Sequence, residues 1–258
     1  FAGTGGLKGW QWLFILEAAP AVVLGLAAPA VLKDHPRDAG WLTREEADAL
    51  CAAIASEDGA RRQTEAISLR QALTRPRVLA LSVVYFGIVA GLYSLTFWTP
   101  QIVKAFGLSN RATGAVAAIP FLAGALVMYP WGRSSDRRAE RVWHVALPSF
   151  VGAAGLIAGT FATQPVWAMA ALVVAALGIF AALPAFWTLP TALLPGAAAA
   201  AGIALINSIG NVGGFAGPYA VGWLKGAGLD TPSAVAAISA LMFLSGVVAL
   251  IAGRARET

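Results

Sequence analysis

What most constrains this chain is the recurrence of long apolar runs separated by short polar stretches. Seven stand out: Trp10–Leu32, Val78–Val103, Ala112–Trp131, Val142–Thr163, Val166–Pro190, Ala199–Leu224 and Pro232–Ala252. At ~1.5 Å rise per residue, a helix of about 20 residues crosses a hydrocarbon core of roughly 30 Å. In that solvent every backbone N–H and C=O must find a partner inside the protein, which leaves helices or closed barrels. Barrel strands are alternating segments of about ten residues. The runs here are longer and apolar on all sides, so the predicted fold class is an all-α membrane protein. Composition agrees. The chain is 58% hydrophobic and 12% charged, against about 25% charged in a soluble domain, and its mean hydropathy is +0.71.

The net charge of +5 would suit nucleic acid if the basic residues formed one face. They sit instead in short loops between apolar spans, so no nucleic-acid partner is expected and the charge reports orientation. With the Lys33–Arg77 loop in the cytoplasm, fourteen of the eighteen basic residues lie inside, including Arg133, Arg137, Arg138, Arg141, Arg254 and Arg256. Lys8, Lys104, Arg111 and Lys225 lie outside. That asymmetry is the positive-inside pattern of a multi-pass inner-membrane protein whose C-terminus is cytoplasmic. A single cysteine, Cys51, excludes a disulfide framework or a cysteine metal site within this chain. It reads as an incidental, reduced thiol. The chain opens on Phe1 without a basic n-region, so the first apolar run is not a signal peptide, and the chain is expected to start inside a longer protein.

Three segments follow. Residues 1–32 hold one span, 33–77 a cytoplasmic loop, and 78–258 six further spans. Within the loop, Thr43-Arg44-Glu45-Glu46 is a capping box that opens a short helix through about Ala55. Ser68 is expected to cap a second, Leu69–Thr74, which stops before Pro76. Both are expected to lie along the inner membrane face. Six spans after a long loop match one half of a two-halved transporter, with the first span as the last helix of a missing N-terminal six-helix half.

Ionisable residues inside spans are expensive and therefore informative. Here Glu17 is the principal one, and it suits either a structural hydrogen bond or a role in ion coupling. The middles of the six later spans carry no Asp, Glu, Lys or Arg. An intramembrane enzyme would want such groups, so no enzymatic role, metal or cofactor is expected. Attention passes to uncharged polar residues. Asn207 and Asn211 are four apart and share a helix face. Asn207 suits a water-filled, substrate-facing cavity, and Asn211 a helix–helix hydrogen bond. Beside them Gly210, Gly214, Pro218 and Gly222, also spaced by four, form a small-residue stripe for close approach or bending. Tyr85 lies too deep for an interfacial belt, which leaves packing or a binding cavity. Trp98 suits the belt. Phe186-Trp187-Thr188, just before Pro190, lines a site or packs.

Three stretches carry a family resemblance: Gly9-Trp10-Gln11-Trp12-Leu13-Phe14-Ile15-Leu16-Glu17; Phe97-Trp98-Thr99-Pro100-Gln101-Ile102-Val103; and Gly132-Arg133-Ser134-Ser135-Asp136-Arg137 with Trp143-His144 following. Together they resemble the major facilitator superfamily, and within it the anion:cation symporter branch, which includes permeases for sugar acids, tartrate and phthalate. The resemblance covers essentially the whole chain and makes the spans helices six to twelve of that fold. Asp136 and Arg137 fall in its loop signature between helices eight and nine. There they are expected to cap helix ends and pair with nearby charges in one alternating-access state, or else to be ordinary positive-inside charges on a tight turn. Ala139 and Glu140 depart from the glycine and basic residues of that signature, so the charge network is expected to be weaker or rearranged.

The resemblance also implies that Tyr85, Trp187, Thr188 and Asn207 contact substrate, while Asn211, Gly210 and Gly214, read from their spacing on one helix, are expected to shape conformational change. Tyr85 stands where an amide is expected in sugar-acid carriers, and Phe186 where a hydroxyl is expected. A less hydroxylated or aromatic organic anion follows as the expected substrate. The implied function is proton-coupled symport of an organic anion by alternating access, with the proton, the anion, the lipid bilayer and the missing half as partners. A non-transporting scaffold or receptor on the same fold is the alternative.

Overall fold

The computed structural model describes residues 4–62, 74–193 and 196–254. Among them the regular structure is helical, and the chain divides into two compact units, Phe1–Thr64 and Glu65–Thr258.

In the first unit, α1 spans Gly9–Val31 and α2 spans Arg44–Arg62. A 3-10 turn, Thr4–Gly6, precedes α1, and the Trp12 indole N–H donates to the Thr4 carbonyl at 2.9 Å. The Lys8 N–H donates to Gln11 Oε1 at 2.8 Å, satisfying an orphan donor at the helix entrance. The side chains of α1 are almost all exposed within its own unit. That is what a helix made to be surrounded by lipid or by other helices looks like. The expected capping box is present: the Glu46 N–H donates to Thr43 Oγ1 at 3.3 Å, and the Thr43 N–H donates back to Glu46 Oε2 at 2.9 Å. The helix it opens runs past the expected end near Ala55, because no proline intervenes before Arg62. An Arg37–Asp48 ion pair at 2.9 Å ties the Pro36–Asp38 turn to α2. The second short helix expected over residues 69–74 falls, but for Thr74, outside the described residues.

The second unit contains α3 (Pro76–Lys104), α4 (Asn110–Ala117), α5 (Ile119–Arg138), α6 (Val142–Ala158), α7 (Pro165–Leu193), α8 (Gly196–Gly226), α9 (Thr231–Ala237) and α10 (Ser239–Arg254). Pro76 and Pro165 open their helices, where a missing N–H leaves nothing unpaired. Pro120 lies just inside α5, and α4 and α5 together make one bent span, Asn110–Arg138, broken at Ala118. Ser109 and Asp230 cap α4 and α9 by accepting from the N–H groups of Ala112 and Ser233.

Among the described residues, six helices are long and apolar enough to cross a membrane, α1 and five in the second unit. Helix α8 is longer still, at 31 residues, and on average no less apolar than α3 or α10. The seventh apolar run counted above thus also forms a helix long enough to cross a membrane.

In the second unit α3 packs along α8, α7 lies between α5 and α6, and α10 covers α3 and α6. Hydrocarbon supplies no hydrophobic drive between helices, so close packing must hold them, and glycine allows it. A Cβ on Gly178 would run into the backbone of Gly152, and one on Gly213 into the Phe86 carbonyl. The expected stripe on α8 is corrected here. Gly210, Gly213, Gly214 and Gly217 meet α3, whereas Gly222 faces open space and Pro218 is only half-buried. The α3-facing surface follows spacings of three and four, as a straight 3.6-residue helix requires, and a strict four-residue stripe rotates away from it.

Two core clusters fill the bundle. One gathers Leu95, Val103, Leu156, Ile179 and Met242. The other gathers Val84, Ile88, Val145, Phe186 and Ile206.

Candidate functional site

Tyr85 of α3 and Phe186 and Trp187 of α7 form an aromatic cluster. The Tyr85 ring stacks on Phe186 at 5.0 Å between centroids and meets Trp187 edge-on at 4.8 Å. Gly210 of α8 makes room for this: a Cβ there would run into the Tyr85 ring. Phe186 is fully buried, while Tyr85 and Trp187 are half-buried. Phe186 therefore supports Tyr85 from behind instead of adding an aromatic wall of its own, which corrects the reading of position 186 as part of the pocket surface. Thr188 is half-buried, and its hydroxyl donates to the Ala185 carbonyl at 2.7 Å, leaving its oxygen free to accept.

On α8, Asn207 precedes Gly210 by one turn and Asn211 follows it. Both asparagines are exposed. Asn211 Nδ2 donates to the Asn207 carbonyl at 2.8 Å and to Asn207 Oδ1 at 2.9 Å. The expectation that Asn211 bonds to a neighbouring helix is thus corrected: its partner is Asn207, one turn away on the same helix. The pair holds itself together on an exposed face of the second unit. Gly214 lies under the ring of Tyr93. Tyr85, Trp187, Gly210 and the asparagine pair are thereby brought to one region where α3, α7 and α8 meet. Glu17 lies in the other unit, where it is exposed.

The Asp136–Arg137 region differs from a tight turn. Helix α5 continues through it to Arg138 and ends on Ala139 in the left-handed region, φ 50° and ψ 27°. Asp136 pairs with Arg141 at 2.6 Å, and Arg141 also donates to Ser135 Oγ at 2.9 Å. Glu140 caps α6: its carboxylate accepts from the N–H groups of Trp143 at 2.7 Å and His144 at 3.2 Å, and meets His144 Nδ1 at 2.7 Å. The buried His144 ring reaches Ser134 Oγ at 3.2 Å through Nε2, and its carbonyl accepts from the Trp131 indole N–H at 2.9 Å. Partial burial pushes the Glu140 carboxyl up, but the Trp143 N–H and the His144 ring and N–H outweigh it and hold it below the usual carboxylate value. The role of Glu140 was legible only as a departure from a pattern. Its signal was an acid at a helix entrance, four residues before a histidine.

The exposed apolar perimeter, the long helices and the glycine seams define a multi-pass α-helical membrane protein. The chain belongs to the Major Facilitator Superfamily, which it matches over residues 2–218. Two proteins of Agrobacterium vitis provisionally named tartrate transporters are 43% and 42% identical to it, over 98% and 96% of this chain and 56% and 57% of their own length. A quinolone resistance transporter of Acinetobacter baumannii is 38% identical over 86% of this chain and 52% of its own. The chain spans about half the length of the curated relatives it matches.

Proposed function

We propose that this chain is one half, with one further helix, of a secondary transporter that carries a small organic anion together with a proton across the inner membrane. The observation that carries the reading is the exposed Asn207–Asn211 pair beside the half-buried Tyr85 and Trp187. Exposed amides in hydrocarbon leave donors unpaired, so this face suits a hydrated path better than lipid. The transporter names of the relatives support the same class.

In this reading Asn207 and Thr188 hydrogen-bond substrate, Tyr85 and Trp187 offer it ring faces, and the glycines at 210 and 214 let α8 shift against α3. Asp136 and Arg137, at the end of α5, bias one of two rocking states. The anion's charge and the coupling carboxylates are assigned to the other half of the protein, with Glu17 as a candidate contributor. The basic residues at the α5–α6 joint support a reading in which that end, the 33–77 loop and the C-terminus face the cytoplasm.

Uptake by the intact protein in vesicles tests this, with tartrate set against an aromatic acid such as phthalate under an imposed proton gradient. Accumulation of either, abolished by a protonophore and reduced in N207A, is expected, with the aromatic acid preferred. Preference for tartrate would remove the aromatic refinement alone. Absence of uptake of both by folded protein would remove the carrier reading.

A further inference from the structure

The last turns of α5 shape a polar groove of about 430 Å3 lined by Tyr129, Pro130, Arg133, Ser134, Arg137 and Arg138. Arg133 and Arg137 are four apart and share one face of the helix, with Tyr129 one turn earlier on that face. Three guanidinium groups crowd this groove, and the nearby carboxylates are engaged elsewhere. Asp136 takes Arg141, and Glu140 takes the α6 entrance and His144. Among the described residues no carboxylate pairs with Arg133, Arg137 or Arg138. Ser134 is held in place by His144. The groove also sits where an apolar span gives way to charge, with Tyr129 exposed at the border. That border is the level at which lipid phosphates lie and aromatic side chains collect.

We propose that this groove binds a phosphate-bearing anion, supplied either by an anionic lipid headgroup or as free phosphate. Arginine forks match phosphate oxygens two at a time. The anion neutralises a cluster with which Asp136 and Glu140, the acids beside it in sequence, form no ion pair. The site stands on the α5–α6 joint alone and is independent of which substrate the protein carries.

Thermal-shift titration of the intact protein in detergent tests the assignment with three probes: dihexanoyl phosphatidylglycerol, dihexanoyl phosphatidylcholine and inorganic phosphate. Phosphatidylglycerol is expected to stabilise at concentrations where phosphatidylcholine does not. Each arginine is expected to contribute about fivefold in affinity, so R133A/R137A weakens binding roughly twenty-five-fold. Stabilisation by phosphatidylglycerol alone identifies the lipid as the source. An equal, arginine-dependent effect of inorganic phosphate identifies the free anion. Equal effects of the two lipids, or unchanged affinity in folded R133A/R137A, would overturn the site. If that variant does not fold, R133Q and R137Q are read singly: about fivefold weakening supports the site, and no change in either overturns it.

Discussion

Gly217→Ala and Gly222→Ala are the same chemical change on one helix, and the structure separates them. A Cβ at 217 would sit 2.6 Å from the Ala90 carbonyl oxygen and 2.8 Å from Ser94 Oγ, where ordinary contact begins at 3.4 Å. The carbonyl belongs to α3 and cannot rotate aside, so the helices would have to part by about 0.8 Å, the difference between 3.4 Å and 2.6 Å. A gap of roughly 0.5–1 Å forfeits a quarter to a half of each contact's dispersion energy. The loss is shared along the seam at Gly210, Gly213 and Gly214. Overpacking of this kind typically costs about 1–3 kcal/mol, and in lipid such packing is a principal source of helix association. At 222 the added methyl meets nothing within 4 Å beyond its own neighbours and the local backbone of α8. Replacing glycine in a helix brings the same propensity gain at both positions, so it cancels in the comparison. G217A is therefore expected to be about 1–3 kcal/mol less stable than G222A. At roughly 2–4 °C per kcal/mol this is about 2–12 °C in Tm, read by tryptophan fluorescence in one detergent. G217A melting at or above G222A would refute the packing of α8 on α3 described here.

Ala139→Gly relieves a left-handed residue of about 1 kcal/mol and is expected to raise Tm by roughly 2–4 °C, whereas Ala139→Val lowers it. Glu140 titrates lower folded than unfolded, so its contribution is complete above the ordinary carboxylate value of 4.5 and is lost as pH falls through the depressed folded value. Melting profiles in that acid range should fall more steeply for the wild type than for E140Q, and parallel profiles would count against the cap. The Asp136–Arg141 pair is largely exposed on its acid side, so D136N is expected to change stability by less than about 1 kcal/mol; a large loss of transport in that folded variant would mark a role in the rocking states. N207A is expected to lower uptake at least tenfold while leaving Tm within about 2 °C, because Asn207 is exposed.

Some of this was readable from residues alone. Apolar runs long enough to cross a bilayer dictated helices, because hydrocarbon leaves the backbone no other partner. Thr43 and Glu46 announced their helix start, since a capping box is local chemistry between residues three apart. Pro120 was in plain view, but only the structure showed the break at Ala118. The order of polar residues along α8 likewise pointed to Asn207 and Asn211, though not to their bond with each other.

The tertiary structure decided what spacing could not. Which glycines of α8 meet α3 depends on the rotation of one helix against another, and that is set by side chains distant in sequence. Phe186 and Trp187 are neighbours in the chain with similar chemistry, yet one is buried behind Tyr85 and the other reaches the surface, because α7 presents them to different neighbours. Glu140 looked like a departure from a family pattern and proved to be the cap that joins α5 to α6, a role that exists only once the chain turns at Ala139. Sequence determined the solvent and the helices. Packing decided which of their faces are buried against one another and which polar groups remain outside, because it depends on contacts between residues far apart in the chain.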